Sequence, residues 1–417
     1  MSKERWRKIR LDELKANKAY ALNGGPFGSN LVRADYRPEG IPVIRGGNIT
    51  GDAAFSYDDL AFVSEEKADE LRPNNAHPGD LIFTQRGTLG QVGMIPKDTP
   101  YPRFVVSQSQ MKLTVNEELA DPHFLYCYFR APSTIQTIHN LAFSSGVPHI
   151  NLDILRNFEL LLPPLSTQRK IAAILSAYDD LMEVNTRRIA ILEEMARSLY
   201  REWFVRFRFP GHESARMVKS AVGVAPAGWA VKALGDIADV NAAAIKKGSE
   251  PERINYVDIS SVSPGKIDKI EPMLFVEAPG RARRIVKHGD IIWSTVRPNR
   301  RSYALILNPP PDMVVSTGFA VVTPTGVPFS YLYHALTTDE FTGYLINHAT
   351  GSAYPAVNAG DFESALIVVP PVGPLENFDN VVSDILAQQQ VLHEKNANLR
   401  RTRDLLLPRL VSGEVRT

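Results

Sequence analysis

Apolar side chains between residues 166 and 204 recur at alternating steps of three and four: Ile171, Leu175, Tyr178, Met182, Ile189, Leu192, Ala196, Leu199 and Trp203. The single break in the series falls on Asn185. A mean period of 3.5 residues is that of a helical seam closing on another helix, narrower than the stripe of a helix on a globular core. Neither Pro nor Gly interrupts the stretch, Pro163 and Pro164 block helix just upstream, and Ser166 is the expected N-cap. At ~1.5 Å per residue the spacing predicts a rod of roughly 58 Å.

Such a seam needs a partner, and residues 376–411 supply one. Phe378, Val382, Ile385, Leu392, Leu399, Leu406 and Leu410 occupy matching positions, with Gln389, Asn396 and Arg403 as polar exceptions. Pro370 and Pro371 precede this segment as Pro163 and Pro164 precede the first, an offset of 207 residues. At the same offset Ser145-Gly-Val-Pro-His-Ile-Asn151 aligns with Ser352-Ala-Tyr-Pro-Ala-Val-Asn358. Further upstream His77-Pro-Gly-Asp-Leu-Ile-Phe83 resembles Lys287-His-Gly-Asp-Ile-Ile-Trp293, and Trp6 and Trp229 each open a half. The chain therefore reads as a tandem duplication. The expected parts are a globular unit at 1–162, a long helix at 163–207, a linker and second unit at 208–369, and a second long helix at 370–417.

An antiparallel pair suits this duplication. It sets Trp203 opposite Phe378, Leu199 opposite Val382, Ile189 opposite Leu392, Met182 opposite Leu399 and Leu175 opposite Leu406. Asn185 then faces Asn396, and a buried Asn pair fixes register at some cost in stability.

Inside the units the period shortens to that of strands. Residues 41–45, 80–84, 253–259, 290–294, 303–307 and 318–323 are apolar runs of strand length. Residues 24–28, 46–48 and 87–90 carry turn signals, and 122–130 and 329–336 begin helices. Each unit is expected to be α+β, and residues 208–224 read as a linker.

The 417 residues suit two domain-sized units, and 44% hydrophobic with 22% charged is ordinary globular composition. The charged N-terminus lacks the apolar core of a signal peptide, and no run approaches the ~20 apolar residues of a membrane span. The single cysteine, Cys127, excludes an intramolecular disulfide and a cysteine-rich zinc site. These features point to the cytoplasm and to no membrane. Net charge is only +1, so any nucleic-acid footprint must be local.

Catalytic signatures are weak. Gly87-Thr-Leu-Gly-Gln-Val-Gly93 lacks the spacing of a phosphate loop and reads as a hairpin turn. Asn308-Pro-Pro-Pro311 lacks the aromatic that would stack on a flipped base in an adenine methyltransferase. The nine histidines form no metal-binding spacing, and no acidic pair stands out. No cofactor and no metal are expected, and the chain is expected not to be an enzyme.

Basic and amide residues are more informative. Arg281, Arg283, Arg284, Lys287, Arg297, Arg300 and Arg301 crowd a predicted strand and its following loop, with Asp290 the one acid among them. They are expected to gather at one edge of the unit. The matching loops of the first half carry amides and hydroxyls. Arg, Gln and Asn make bidentate contacts to guanine and adenine edges. Candidate DNA contacts are Gln85, Arg86, Thr88, Gln108, Ser109 and Gln110 in the first half. In the second they are Arg284, Arg297, Asn299, Arg300, Arg301 and Tyr354.

The stretch Pro163-Pro-Leu-Ser-Thr-Gln-Arg-Lys-Ile-Ala-Ala-Ile-Leu175 is similar to the conserved-helix signature of the specificity subunits of type I restriction–modification systems. Leu405-Leu-Leu-Pro-Arg-Leu-Val-Ser-Gly-Glu414 resembles its counterpart at the second helix. Gly79-Asp80-Leu-Ile and Arg86-Gly87-Thr-Leu-Gly90 resemble the core of the family's target recognition domains. Val372-Gly-Pro-Leu-Glu-Asn377 departs from the family's Leu-x-x-Gln pattern. The resemblance implies a non-catalytic subunit whose two domains each read one part of a split site on double-stranded DNA. It also implies paired helices that act as a spacer and dock two adenine-methylating modification subunits, with motor-nuclease subunits as further partners. A methyltransferase–specificity fusion lacks room for a cofactor domain. A coiled-coil scaffold or protein-binding adaptor is the alternative, and salt-dependent DNA binding separates it from a reader.

Overall fold

The structure is a computed structural model and describes residues 6–49, 54–143, 147–221 and 223–415. Ser145 and Gly146 of the repeated motif lie outside the described residues. The chain forms two compact units, one of Met1–Asn185 with Lys395–Thr417 and the other of Thr186–Glu394. The boundaries fall inside the two long helices, Leu165–Tyr200 and Val372–Val411.

The first unit is built on an antiparallel four-stranded sheet in the order Leu22–Gly24, Gln110–Leu113, Leu81–Thr84, Val92–Met94. Leu81, Phe83, Met111 and Leu113 are fully or almost fully buried and share one core with Phe124, Leu125 and Phe129 of helix Pro122–Arg130. A second sheet of five strands contains one parallel pair, Ile41–Ile44 beside Phe104–Val106. A third pairing, Arg7–Arg10 with Glu159–Leu162, ties the start of the unit to the strand that feeds the first long helix.

The second unit repeats this plan. Its four-stranded sheet runs Ala238–Val240, Phe319–Pro324, Ile291–Ser294, Tyr303–Leu305. Its second sheet again holds one parallel pair, Arg253–Val257 with Met313–Ser316, and Ala230–Ala233 pairs with Leu366–Val369. The motif shared by the halves is a turn into the central strand. Gly79 and Gly289 adopt φ of 89° and 88°, which a side chain would strain. The next residue closes each turn: buried Asp80 accepts from the His77 N–H at 2.9 Å, and buried Asp290 from the Lys287 N–H at 2.8 Å. Asp290 also accepts from the Thr323 hydroxyl at 2.7 Å, and burial raises its pKa. These aspartates are structural.

Several boundaries differ from the sequence expectation. The first long helix begins at Leu165, so Ser166 lies within it and is not its N-cap. It passes after Tyr200 into a wider turn over Arg201–Val205, which carries Trp203 and Phe204. The second helix starts at Val372, a turn before Glu376, because Pro374 is harmless in a first turn that donates no intrahelical bonds. Residues 208–224 are not a bare linker: Met217–Ser220 and Gly223–Pro226 pair as antiparallel strands.

Gln168 shows what the Leu-Ser-Thr-Gln stretch does. Its buried side chain accepts from the Asp121 N–H at 2.9 Å and donates to the Pro163 carbonyl at 2.8 Å. It sutures the helix start to the body of the first unit. The matching residue of the second helix is Leu375, which is buried among apolar neighbours. Packing there replaces the hydrogen-bonded suture.

Within each unit the long helices run antiparallel. In the first, Asn185 donates through its amide to the Asn396 side-chain carbonyl at 2.9 Å, and Asn396 donates to the Met182 carbonyl at 3.3 Å. Leu175 and Met182 are buried, and Leu399 and Leu406 half-buried. Arg403 is buried and reaches Asp179 across the seam, while Asp404 accepts from it at 2.8 Å. In the second unit Ile189, Phe378, Val382, Ile385 and Leu392 are buried, and Leu192, Leu199 and Trp203 half-buried. Trp203 and Phe378 meet with ring centroids 6.1 Å apart.

Candidate nucleic-acid interface

In the first unit the polar loops converge because the backbone stitches them together. The Gln85 N–H donates to the Ser109 carbonyl at 2.7 Å, and the Ile150 N–H donates to the Gln85 carbonyl at 3.0 Å. Arg86 pairs with His149 in an isolated bridge. Residues 85–91 join Leu81–Thr84 to Val92–Met94, so they are the hairpin turn that the glycines predict. Between these loops lies a cavity of about 490 Å³, and Arg86, Thr88, Gln108, Ser109 and Gln110 line it. Gln85 is half-buried and is not among its lining residues.

These residues are not equivalent. Arg86, Thr88 and Gln108 are exposed. Gln110 is 1% exposed, and its side-chain carbonyl accepts from the Ser107 hydroxyl. It is therefore a floor residue and cannot offer both ends of its amide to a base edge, which corrects the sequence expectation. The buried Thr84 hydroxyl, at the same floor, has no hydrogen-bond partner. Sequence reasoning missed Leu31, Tyr36 and Arg45, which also line the cavity. They come from distant segments and carry no local signal. Arg45 is partly committed, donating to the Asp59 carboxylate at 3.0 Å.

The second unit latches its loop in the same way. The Val357 N–H donates to the Thr295 carbonyl at 2.9 Å, and Val296 pairs with Ala356. The loop bears arginines in unusual backbone states: Arg297 and Arg301 have φ of 51° and 55° on either side of the turn Pro298–Arg300. Left-handed non-glycine residues cost energy and concentrate at functional sites. The Arg297 guanidinium lies over the Tyr354 ring, 4.5 Å from its centroid, and donates to the Ala353 carbonyl at 3.3 Å. Stacking and this bond fix the orientation of the guanidinium. Asn299 and Arg300 are exposed, whereas Arg301 forms an ion pair with Asp339.

The members of the basic run have different surroundings. Arg281 pairs with Asp258 at 2.7 Å, and Arg283 lies over Phe275 at 4.9 Å. Arg284 sits half-buried in strand Ala282–Ile285, its Nε without a partner, and burial lowers its pKa. Arg283 and Arg284 belong to that strand and Arg281 to the turn before it, while Arg297, Arg300 and Arg301 belong to the loop. Among the described residues no cluster of His, Cys, Asp and Glu is placed to hold a metal ion. No helix among them is long and apolar enough to cross a membrane.

Residues 4–194 match the type I restriction modification DNA specificity domain. In this stretch the chain is similar to the type I specificity subunits. Similar proteins include the type I restriction enzyme MjaIX specificity subunit of Methanocaldococcus jannaschii, 21% identical over 81% of this chain and 78% of the relative. The HindI specificity subunit of Haemophilus influenzae is 24% identical over 81% of this chain and 86% of the relative. The crystal structure of a type I restriction-modification S subunit from M. genitalium aligns with a TM-score of 0.58. That alignment covers 98% of this chain and 97% of the other at 17% identity, a likeness of fold.

Proposed function

We propose that this chain is a type I specificity subunit that reads an asymmetric, two-part sequence on double-stranded DNA and docks two adenine-methylating modification subunits without being an enzyme itself. One observation carries the reading. Two units built on matching four-stranded sheets latch matched loops by the same backbone bonds yet present different side chains: Arg86, Thr88 and Gln108 in one, Arg297, Asn299 and Arg300 in the other. Similar scaffolds with different polar tips suit two different short sequences. The long helices then set the distance between the two parts, since half-site spacing follows protein geometry. Exposed Leu181, Val184, Ile191 and Met195 on the first long helix give the modification subunits apolar surface to dock on.

The test is co-expression with the cognate modification subunit, followed by mapping of methylated adenines. A split motif is expected, and Arg297→Ala with Arg300→Ala should relax only one of its parts. Unsplit or absent methylation, or relaxation of both parts together, would overturn the reading. DNA binding insensitive to salt would favour a protein adaptor, because phosphate contacts release counterions.

A further inference from the structure

The side chain of Phe27 is 91% exposed. A single apolar residue on a surface is ordinary and by itself says nothing. This one is held out on a braced turn. Two residues before it, Gly25 presses so closely on the next loop that an added Cβ would lie 1.9 Å from the Ser107 carbonyl oxygen. The Gly25 N–H donates to the Gln110 carbonyl at 2.8 Å. Directly after Phe27 begins the turn Gly28–Asn30, and Gln108 donates through its amide to the Gly28 carbonyl and, at 3.3 Å, to that of Leu31. Gln108 and Leu31 both line the cavity between the polar loops. The turn that carries the ring is thus fixed beside a concave surface bearing Arg86, Thr88 and Gln108, with exposed Arg33 following.

The second unit has no such ring. There the Thr295 N–H donates to the Gly318 carbonyl at 2.8 Å as the Gln85 N–H does to that of Ser109, so Gln110 corresponds to Phe319 and, across the paired strands, Leu22 to Val240. In that register Phe27 corresponds to Ile245, which is aliphatic and half-buried against the core of its sheet.

We propose that Phe27 is a wedge that enters between two stacked base pairs at the edge of the sequence read by the first unit. An exposed aromatic on a rigid mount can replace base-stacking contacts with ring contacts, and a kink so made brings more backbone onto the protein. Arg86 and Arg33 supply the positive charge that draws phosphates to that place. The two parts of the target are then recognised differently, the first by wedge and edge contacts, the second by arginine contacts alone. The inference rests on the DNA-reading function proposed above.

The test uses the full chain with a duplex selected by it from a random pool, carrying 2-aminopurine at each position in turn. Fluorescence should rise at one step of the first part on binding and at none in the second. Phe27→Ala should remove that rise and weaken binding by roughly tenfold, the order expected for one aromatic leaving an apolar contact. Phe27→Trp should keep the rise. Selective binding with no rise in the first part, or a rise that survives Phe27→Ala, overturns the wedge and leaves the DNA-reading function standing. If no duplex is selected, the DNA-reading function itself fails and the wedge with it.

Discussion

Asp179→Ala strands a charge. The Arg403 side chain is 6% exposed, and Asp179 is its partner across the seam. Burial alone would lower the Arg403 pKa, but hydrogen bonds and charge from Asp179 and Asp404 raise it on balance. Removing one member of a buried ion pair typically costs ~3–5 kcal/mol, because the other charge is left unmatched. Asp404 still accepts from Arg403 at 2.8 Å but is itself 55% exposed, so it compensates only in part. Arg130, 15% exposed, also loses a carboxylate 3.8 Å away. Together these place the cost at about 2–3 kcal/mol. For a unit of this size that lowers the midpoint of its thermal transition by roughly 4–12 °C. Hydrogen exchange followed by mass spectrometry separates the units: exchange should quicken in residues 6–185 and 395–415 and stay unchanged in 186–394. The double variant Asp179→Ala, Arg403→Met should be more stable than Asp179→Ala alone, since it removes the stranded charge. A single variant within ~0.5 kcal/mol of the parent, or a double variant worse than the single, would refute the argument.

Gln389 has its side-chain nitrogen buried without a partner, so Gln389→Leu should stabilise the second unit by about 1 kcal/mol in chemical denaturation. His334 is packed against Tyr200 and Phe378, and burial pushes its pKa down to about 4. Between that value and the usual ~6.5 the unfolded chain binds the extra proton, so stability falls as pH falls. Acidifying from pH 7 to 5 should cost about 2 kcal/mol through this residue, and His334→Gln should flatten that part of the profile. Ile189→Cys with Leu392→Cys should cross-link within one chain; a folded protein that fails to do so argues for a different register. A matched four-residue insertion near Asn185 and Asn396 adds ~6 Å of helix. It should lengthen the gap in the methylated motif by one or two base pairs at ~3.4 Å each and leave both half-site sequences unchanged.

The helix pair was legible because a 3.5-residue period kept up from Ile171 to Trp203 arises from little besides a helical seam, and because Asn185 and Asn396 break both seams at matching places. The ends were less legible. Local rules place a cap at Ser166, but the suture of Gln168 to Asp121 and Pro163 carries the helix back to Leu165. The candidate contact surface was only half legible. Polar residues flanking a strand marked the loops, yet sequence spacing does not separate Gln110 on the floor from Gln108 on the rim. That difference arises from Ser107 folding back on the Gln110 carbonyl. Phe27 was legible only as part of the turn at 24–28: the glycines mark the turn, but its bracing by Gly25 and Gln108 beside the polar loops comes from contacts distant in sequence.

The first unit is assembled from both ends of the described chain. Leu407, Leu410 and Val411 lie in the same apolar core as Leu81 and Phe124, and Gly413 sits so close to Trp6 that a Cβ there would lie 2.9 Å from the indole. During synthesis, therefore, the unit that starts first is finished second. Residues 186–394 can close their own core as one continuous segment while residues 6–185 wait for a helix made some two hundred positions later. A premature stop near residue 395 would spare the unit just completed and leave the older one open, with its apolar surface available to chaperones and proteases. The lesion would lie in a segment translated late and the damage in a unit begun early.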